Sequence, residues 1–186
     1  MNQTAQSWWF IFYKDQLLLE KKEDGIYAIP CEESSPIVIK EKTTVHNITT
    51  LEGRNCKTFS LSSPIEESEQ WIMTGLRASY EYLPLSHYQT AGKAYEILHW
   101  DRNSRFCSAC GTPMEQKESI MKRCPKCDRE VYPSISTAIL VLVRKKDSLL
   151  LVHARNFKGT FNSLVAGFLE TGETLEECVA REVKEE

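Results

Sequence analysis

The sequence predicts an α+β protein in three segments: a β-rich N-terminal domain over residues 1–85, a helix leading into a cysteine module over 86–133, and a mixed segment over 134–186 that ends in an acidic helix. Three observations support that division. Residues 1–85 read as short apolar runs punctuated by Gly25, Pro30 and Pro36, a strand-and-turn texture. Four of the seven cysteines fall into two Cys-x-x-Cys pairs. From Thr174 onward, apolar residues recur at helical spacing among glutamates.

Taken in order, residues 8–13 and 16–20 are apolar runs about Lys14-Asp15 and predict a hairpin. Residues 66–77 fit either a short helix or an edge strand. Residues 86–102 repeat Tyr88, Ala91, Tyr95 and Leu98 at three- and four-residue spacing, which predicts a helix with Ser86 as its N-cap. Two apolar runs at 137–143 and 148–153, joined by Arg144-Lys145-Lys146-Asp147, predict a second hairpin, and residues 162–166 a further strand.

A net charge of −3 excludes an overall basic pattern of the kind that nucleic-acid or membrane-surface binding favours. Residues 1–7 are polar, and the apolar run behind them is too short for a signal segment or a spanning helix. The expectation is a cytoplasmic protein with no membrane partner. In that reducing setting the cysteine pairs point to metal rather than disulfides. Zinc takes four thiolates in a tetrahedron, and two tight Cys-x-x-Cys turns supply two each. Cys107, Cys110, Cys124 and Cys127 therefore predict a structural zinc ribbon with no open coordination position. Gly111, after the first pair, suits a turn that needs positive φ. Lys122, Arg123, Lys126 and Arg129 decorate the ribbon; with no aromatic run beside them they read as a solvated basic face.

Thr174 with Glu177 forms a capping-box pattern, so the last helix starts near Thr174. With Leu175 at zero and about 100° per residue, Val179 and Val183 fall at roughly 40° and 80°, Glu182 at roughly −20° and Glu186 at roughly 20°. Both glutamates thus lie within the apolar stripe; Glu185 sits at its edge, and Arg181 on the opposite face. Unpaired buried carboxylates cost on the order of several kcal/mol each. They also repel one another at the negative end of the helix dipole. A hard divalent cation such as Mg²⁺ or Mn²⁺ cancels these penalties. A solvated C-terminal turn avoids them too, and periodicity alone does not choose.

Residues 167–186 run Gly, five residues, Glu173, seven residues, Arg181-Glu182, Val183, one residue, Glu185-Glu186. This resembles the Nudix box at every fixed position that the chain reaches. Together with the four-cysteine ribbon upstream, Tyr132-Pro133 and Ala166-Gly167-Phe168, it resembles the NADH pyrophosphatase family, clearly over about residues 77–186 and loosely before. The resemblance implies that residues 134–186 are the N-terminal part of a Nudix α/β/α sandwich. It implies hydrolysis of the diphosphate of NADH or NAD to nicotinamide mononucleotide and AMP, with NAD-capped RNA 5′ ends as a further substrate. Glu182, Glu185, Glu186 and the Ala166 carbonyl would hold Mg or Mn, with Glu185 able to orient the attacking water. Arg181 would pair with Glu173, Gly167 would serve the box's structure, and Phe168 and Tyr132 would stack on nicotinamide, core packing being the other reading of both. The family also suggests a homodimer. A non-catalytic nucleotide- or RNA-binding module is the alternative. The family's pattern continues past Glu186 with a further glutamate and a specificity run, so the 186-residue chain alone is expected to be a fragment and inactive.

Overall fold

The computed structural model describes residues 6–153, 155 and 159–186. Residues 1–5, most of the polar leader noted above, lie outside the described residues. The chain forms two compact units, Met1–Pro133 and Ser134–Glu186.

The first unit is built on β1 (Ser7–Tyr13) and β2 (Gln16–Lys21), the expected hairpin, with Lys14 at φ 53° in its turn. After a 3-10 turn at Glu23–Gly25 come β3 (Tyr27–Ala28), β4 (Cys31–Glu32), β5 (His46–Leu51) and β6 (Arg54–Ser60). Residues 66–77 resolve as a strand, β7 (Trp71–Gly75). The seven strands make one sheet, in which β1 lies beside β2 and runs parallel to β6.

Because side chains alternate across a strand, β1 divides its apolar residues between two faces. Phe10 and Phe12 join Leu17, Leu19 and Cys56 in one core, and Trp9 and Ile11 join Leu18 and Phe59 in another. The paired tryptophans also lock neighbouring segments, since Trp8 Nε1 donates to the Leu51 carbonyl and Trp9 Nε1 to the Glu32 carbonyl, both at 3.2 Å.

Helix α1 (Leu85–Asn103) closes the first core with Ala91, Ala94 and Leu98, whose small alanines allow close approach to the sheet. Its N-cap is Pro84 rather than the expected Ser86, which lies in the first turn; proline's fixed φ suits a helix entry and needs no side-chain cap. The ribbon follows as β8 (Glu115–Glu118), β9 (Met121–Arg123) and β10 (Glu130–Val131).

The ribbon is fastened to the end of α1 by a residue that the sequence reading placed on a solvated face. Lys122 has a side chain only 6% exposed, and its Nζ lies 2.6 Å from the Asp101 carboxylate and donates to the Asp101 carbonyl at 2.8 Å. It also lies over the Trp100 ring. His46 and Lys122 together hold the Asp101 carboxyl at about 2, well below the usual range. The basic face therefore loses Lys122 to the interior, and Arg123 to an ion pair with Glu130.

In the second unit β11 (Ala138–Val141), expected to pair with residues 148–153, instead pairs antiparallel with a later strand, and the hairpin is confined to β12 (Arg144–Lys145), from the expected connection, and β13 (Ser148–Leu149), with Lys146 at φ 53°. The later strand is β14 (Val165–Phe168), and the acidic helix is α2 (Leu175–Glu185). Among the described residues no helix is long and apolar enough to cross a membrane.

Removing one partner of a buried ion pair strands the other charge. Lys122→Met should therefore lower the stability of the first unit by on the order of 3 kcal/mol. Lys122→Met with Asp101→Leu should recover much of the loss. Urea unfolding of the two variants beside the unaltered protein checks this; a neutral Lys122→Met would remove the clamp's role.

Candidate functional site

The four ribbon sulfurs converge. Each Cys-x-x-Cys turn closes on a backbone bond, from Gly111 N–H to the Cys107 carbonyl at 2.8 Å and from Asp128 N–H to the Cys124 carbonyl at 3.0 Å. Both closing residues have positive φ, 72° at Gly111 and 56° at Asp128. The sequence flagged only the glycine, although aspartate also tolerates this region. The Sγ atoms of Cys107 and Cys127 are 3.6 Å apart, those of Cys110 and Cys124 3.5 Å, and those of Cys110 and Cys127 3.7 Å. All four lie within 4.8 Å of one another, and every cysteine is a free thiol.

Four thiolates about 2.3 Å from one zinc would sit about 3.8 Å apart, so this set fits a structural zinc. The Thr112 hydroxyl and N–H bring the Cys110 thiol down to about 6, toward the thiolate that zinc requires. At Cys127 the Arg129 N–H favours the thiolate, but the surrounding sulfurs outweigh it and push the thiol up to about 12. Four neighbouring thiols do not all ionise unless a cation offsets them.

The second unit builds its site around the loop between β14 and α2. Thr174 Oγ1 accepts from Glu177 N–H at 3.2 Å, and the Glu177 carboxylate accepts from Thr174 N–H at 2.8 Å, so the capping box starts the helix where the sequence put it. That start fixes the phase of α2. Its fully buried residue is Cys178, not Leu175, which is exposed. Val179, Glu182 and Val183 of the expected stripe are half-buried, so the buried face is that stripe rotated toward Cys178.

The rotation brings Arg181, expected on the outer face, against the loop. Its guanidinium donates to the Glu173 carboxylate through Nε at 2.8 Å and Nη2 at 2.9 Å, to the Phe168 carbonyl at 3.0 Å, and to Glu182 at 2.8 Å. Glu185 lies 3.6 Å from the same guanidinium. Arg181, with a bond from Glu170 N–H, holds the Glu173 carboxyl down to about 2.

Glu182 has a side chain 15% exposed and lies directly over Gly167. A Cβ at Gly167 would fall on the Glu182 carboxyl group, so a larger residue there would displace the carboxylate from this position. The register of β14 on β11, with Leu169 N–H bonded to the Thr137 carbonyl, makes Ala166 opposite Leu140 a pair that is not hydrogen-bonded. The Ala166 carbonyl is thereby directed away from β11, as is that of Phe168, which Arg181 reaches.

Glu185 and Glu186 stand exposed in the last turn. Among the described residues the cysteines form the one cluster of metal-ligand groups; the three glutamates do not converge into another, and Arg181 is the cation between Glu182 and Glu185. As a donor set, carboxylates beside a backbone carbonyl suit a hard divalent cation.

Phe168 is 67% exposed and lines an open hollow of about 350 Å³ with Ile135, Thr137 and Thr171. Tyr132 is 51% exposed and its hydroxyl donates to Glu130 at 3.0 Å. Neither ring is packed in a core.

Comparison with known proteins matches three successive stretches of the chain. Residues 6–100 match the model of the NADH pyrophosphatase-like rudimentary NUDIX domain, residues 102–132 that of the NADH pyrophosphatase zinc ribbon domain, and residues 133–186 that of the NUDIX domain. Similar curated proteins are named NAD-capped RNA hydrolase NudC. One from Chromobacterium violaceum is 38% identical over 121 residues, covering 64% of this chain and 45% of the relative. One from Pseudomonas aeruginosa is 35% identical over 143 residues, covering 76% and 51%. One from Deinococcus radiodurans is 41% identical over 120 residues, covering 61% and 42%. The chain spans about half the length of the relatives that it matches. The N-terminal match was poorly legible in the sequence, where only strand texture and Trp8-Trp9 hinted at it.

Two outcomes follow from these geometries. Cys124→Ser, at a fully buried sulfur, should bind well under one equivalent of zinc and expose the ribbon to proteolysis; full zinc occupancy in that variant would contradict the four-thiolate site. Glu173 has a folded pKa below its ordinary 4.5, so its ion pair stabilises fully above that value and loses its contribution as pH falls toward about 2. The stability gap between the unaltered protein and Glu173→Gln should accordingly be whole at neutral pH and close through that window. A gap independent of pH would show that charge is not the cause.

Proposed function

Since the chain belongs to the NADH pyrophosphatase family of the NUDIX hydrolases, we propose that the whole protein hydrolyses the diphosphate of NADH or NAD to nicotinamide mononucleotide and AMP, and acts likewise on NAD-capped RNA 5′ ends. The observation that carries this reading is the Glu182 carboxylate, lodged over Gly167 and beside Arg181 at the mouth of an acidic helix. A carboxylate mostly withdrawn from solvent and packed against the Gly167 backbone is poorly explained as surface charge. The NAD-capped RNA hydrolases among the relatives support the substrate class.

Glu182, Glu185, Glu186 and the Ala166 carbonyl are the groups that we assign to Mg²⁺ or Mn²⁺. When bound, such a metal neutralises the diphosphate and lowers the pKa of a water that attacks phosphorus in line. We assign Glu185, more exposed than Glu182, the further role of orienting the attacking water. Arg181 and Glu173 are positioning residues: they hold loop, strand and helix so that Glu182 stays over Gly167. Phe168 and Tyr132 offer exposed ring faces for nicotinamide. The zinc remains structural. We place the protein in the cytoplasm, a reducing compartment in which Cys-x-x-Cys pairs hold zinc rather than form disulfides. We assign it a homodimer, a form that would cover exposed Leu140, Leu142, Leu149 and Leu151.

The test is AMP release from NADH with Mn²⁺, by a protein of the relatives' length. Glu182→Gln should lower the rate by on the order of 100-fold or more, since a misplaced reacting group costs that much. Unaltered turnover in that variant would sink the assignment.

A further inference from the structure

We propose that the first unit carries a binding site for single-stranded RNA, in which phosphates lie along Lys14, Lys42, Arg102 and Arg105 and a base enters an adjoining apolar hollow. A groove of about 450 Å³ gathers these four basic side chains from the β1–β2 turn, the turn before β5 and the end of α1. All four are exposed, and among the described residues none has a carboxylate within ion-pair distance. Asp101 is the single acidic residue lining the groove, and its carboxylate is already engaged by Lys122 at 2.6 Å, with His46 at 3.4 Å. Arg102 alone would be explained by the negative end of the helix dipole. Lys14, Lys42 and Arg105 are not; Lys14 lies over the Tyr13 ring and Arg105 over the Phe106 ring, contacts that leave their charge unneutralised, so three further cations around one groove offer an anion a local positive field.

The groove does not end as a bare anion site. It shares Thr43, Ser60 and Leu61 with a second hollow, of about 240 Å³, walled by Ile37, Val38, Phe59 and Ile65. An apolar recess beside a row of cations matches the two faces of a nucleotide, a flat apolar base and a charged phosphate. The shared hydroxyls of Thr43 and Ser60 stand where the two meet. A duplex hides its bases, so the hollow selects single strands. That the strand is RNA rests on the capped-RNA part of the proposed function; the groove and hollow do not.

The probe is an uncapped, fluorescein-labelled oligoadenylate of about ten nucleotides, a length within the range of single-strand sites. It carries no diphosphate to cleave, so its binding is independent of whether Glu182→Gln affects hydrolysis. Lys42→Glu with Arg105→Glu should weaken binding by on the order of tenfold or more in fluorescence anisotropy. It should also flatten the dependence of log K on log salt by about 1.4, about 0.7 for each phosphate contact. Val38→Asn, at a residue 87% exposed, should weaken RNA binding while leaving the salt slope unaltered. The ribbon-face pair Lys126→Glu with Arg129→Glu should bind as the unaltered protein does. Zinc content reports folding, and Lys42→Ala in its exposed turn serves if the double variant loses zinc. No binding by the unaltered protein, no weakening in the groove variants, or equal weakening in the ribbon pair overturns the proposal. Duplex RNA bound as tightly as the single strand overturns the part assigned to the hollow.

Discussion

One guanidinium organises the second unit. Arg181 donates to the loop through Glu173, to the strand through the Phe168 carbonyl, and to its own helix through Glu182. Three segments that would otherwise bring carboxylates and a bare carbonyl together are joined by one delocalised cation whose fork of donors has a fixed plane. Lysine could neutralise one of these groups but could not span all of them. The placement of Glu182 over Gly167 follows from this arrangement, because the capping box sets the phase of α2 and Arg181 sets its distance from β14.

The first unit depends on a comparable device. Lys122 reaches from β9 into the end of α1, where a carboxylate and a backbone carbonyl of Asp101 both take its ammonium group. A four-thiolate ribbon has too small a core to fasten itself to a neighbouring domain by apolar burial. A charge held in a fixed geometry gives it an orientation, since the Lys122 nitrogen has few ways to satisfy its donors once buried.

These two devices also mark what the sequence could and could not convey. Features decided by neighbours in the chain were legible: the β1–β2 hairpin, the capping box at Thr174, and both Cys-x-x-Cys turns. Features decided by contacts across the fold were not. Cys178 lies outside both Cys-x-x-Cys pairs and is the buried centre of α2; Lys122 looked like surface charge and is an internal clamp. Leu175, in the first turn of α2, stays exposed, so the buried face is the apolar stripe of Val179, Glu182 and Val183 rotated toward Cys178. The parallel pairing of β1 with β6 links residues more than forty positions apart, beyond any local pattern.

Net charge is the plainest case of the same limit. The sum of −3 was grounds for setting aside an overall basic surface. Yet a bound phosphate responds to charges within about 8 Å, the screening length at physiological salt, and not to the sum over the molecule. The chain places Lys14, Lys42, Arg102 and Arg105 around one groove, while Glu173, Glu182 and Glu185 gather about Arg181 in the other unit. The basic field is created by folding, because its residues come from three separate segments, whereas the acidic one lies within residues 173–185 and is legible in the sequence. A small net charge therefore limits what the molecule does at long range and leaves open what any one groove binds.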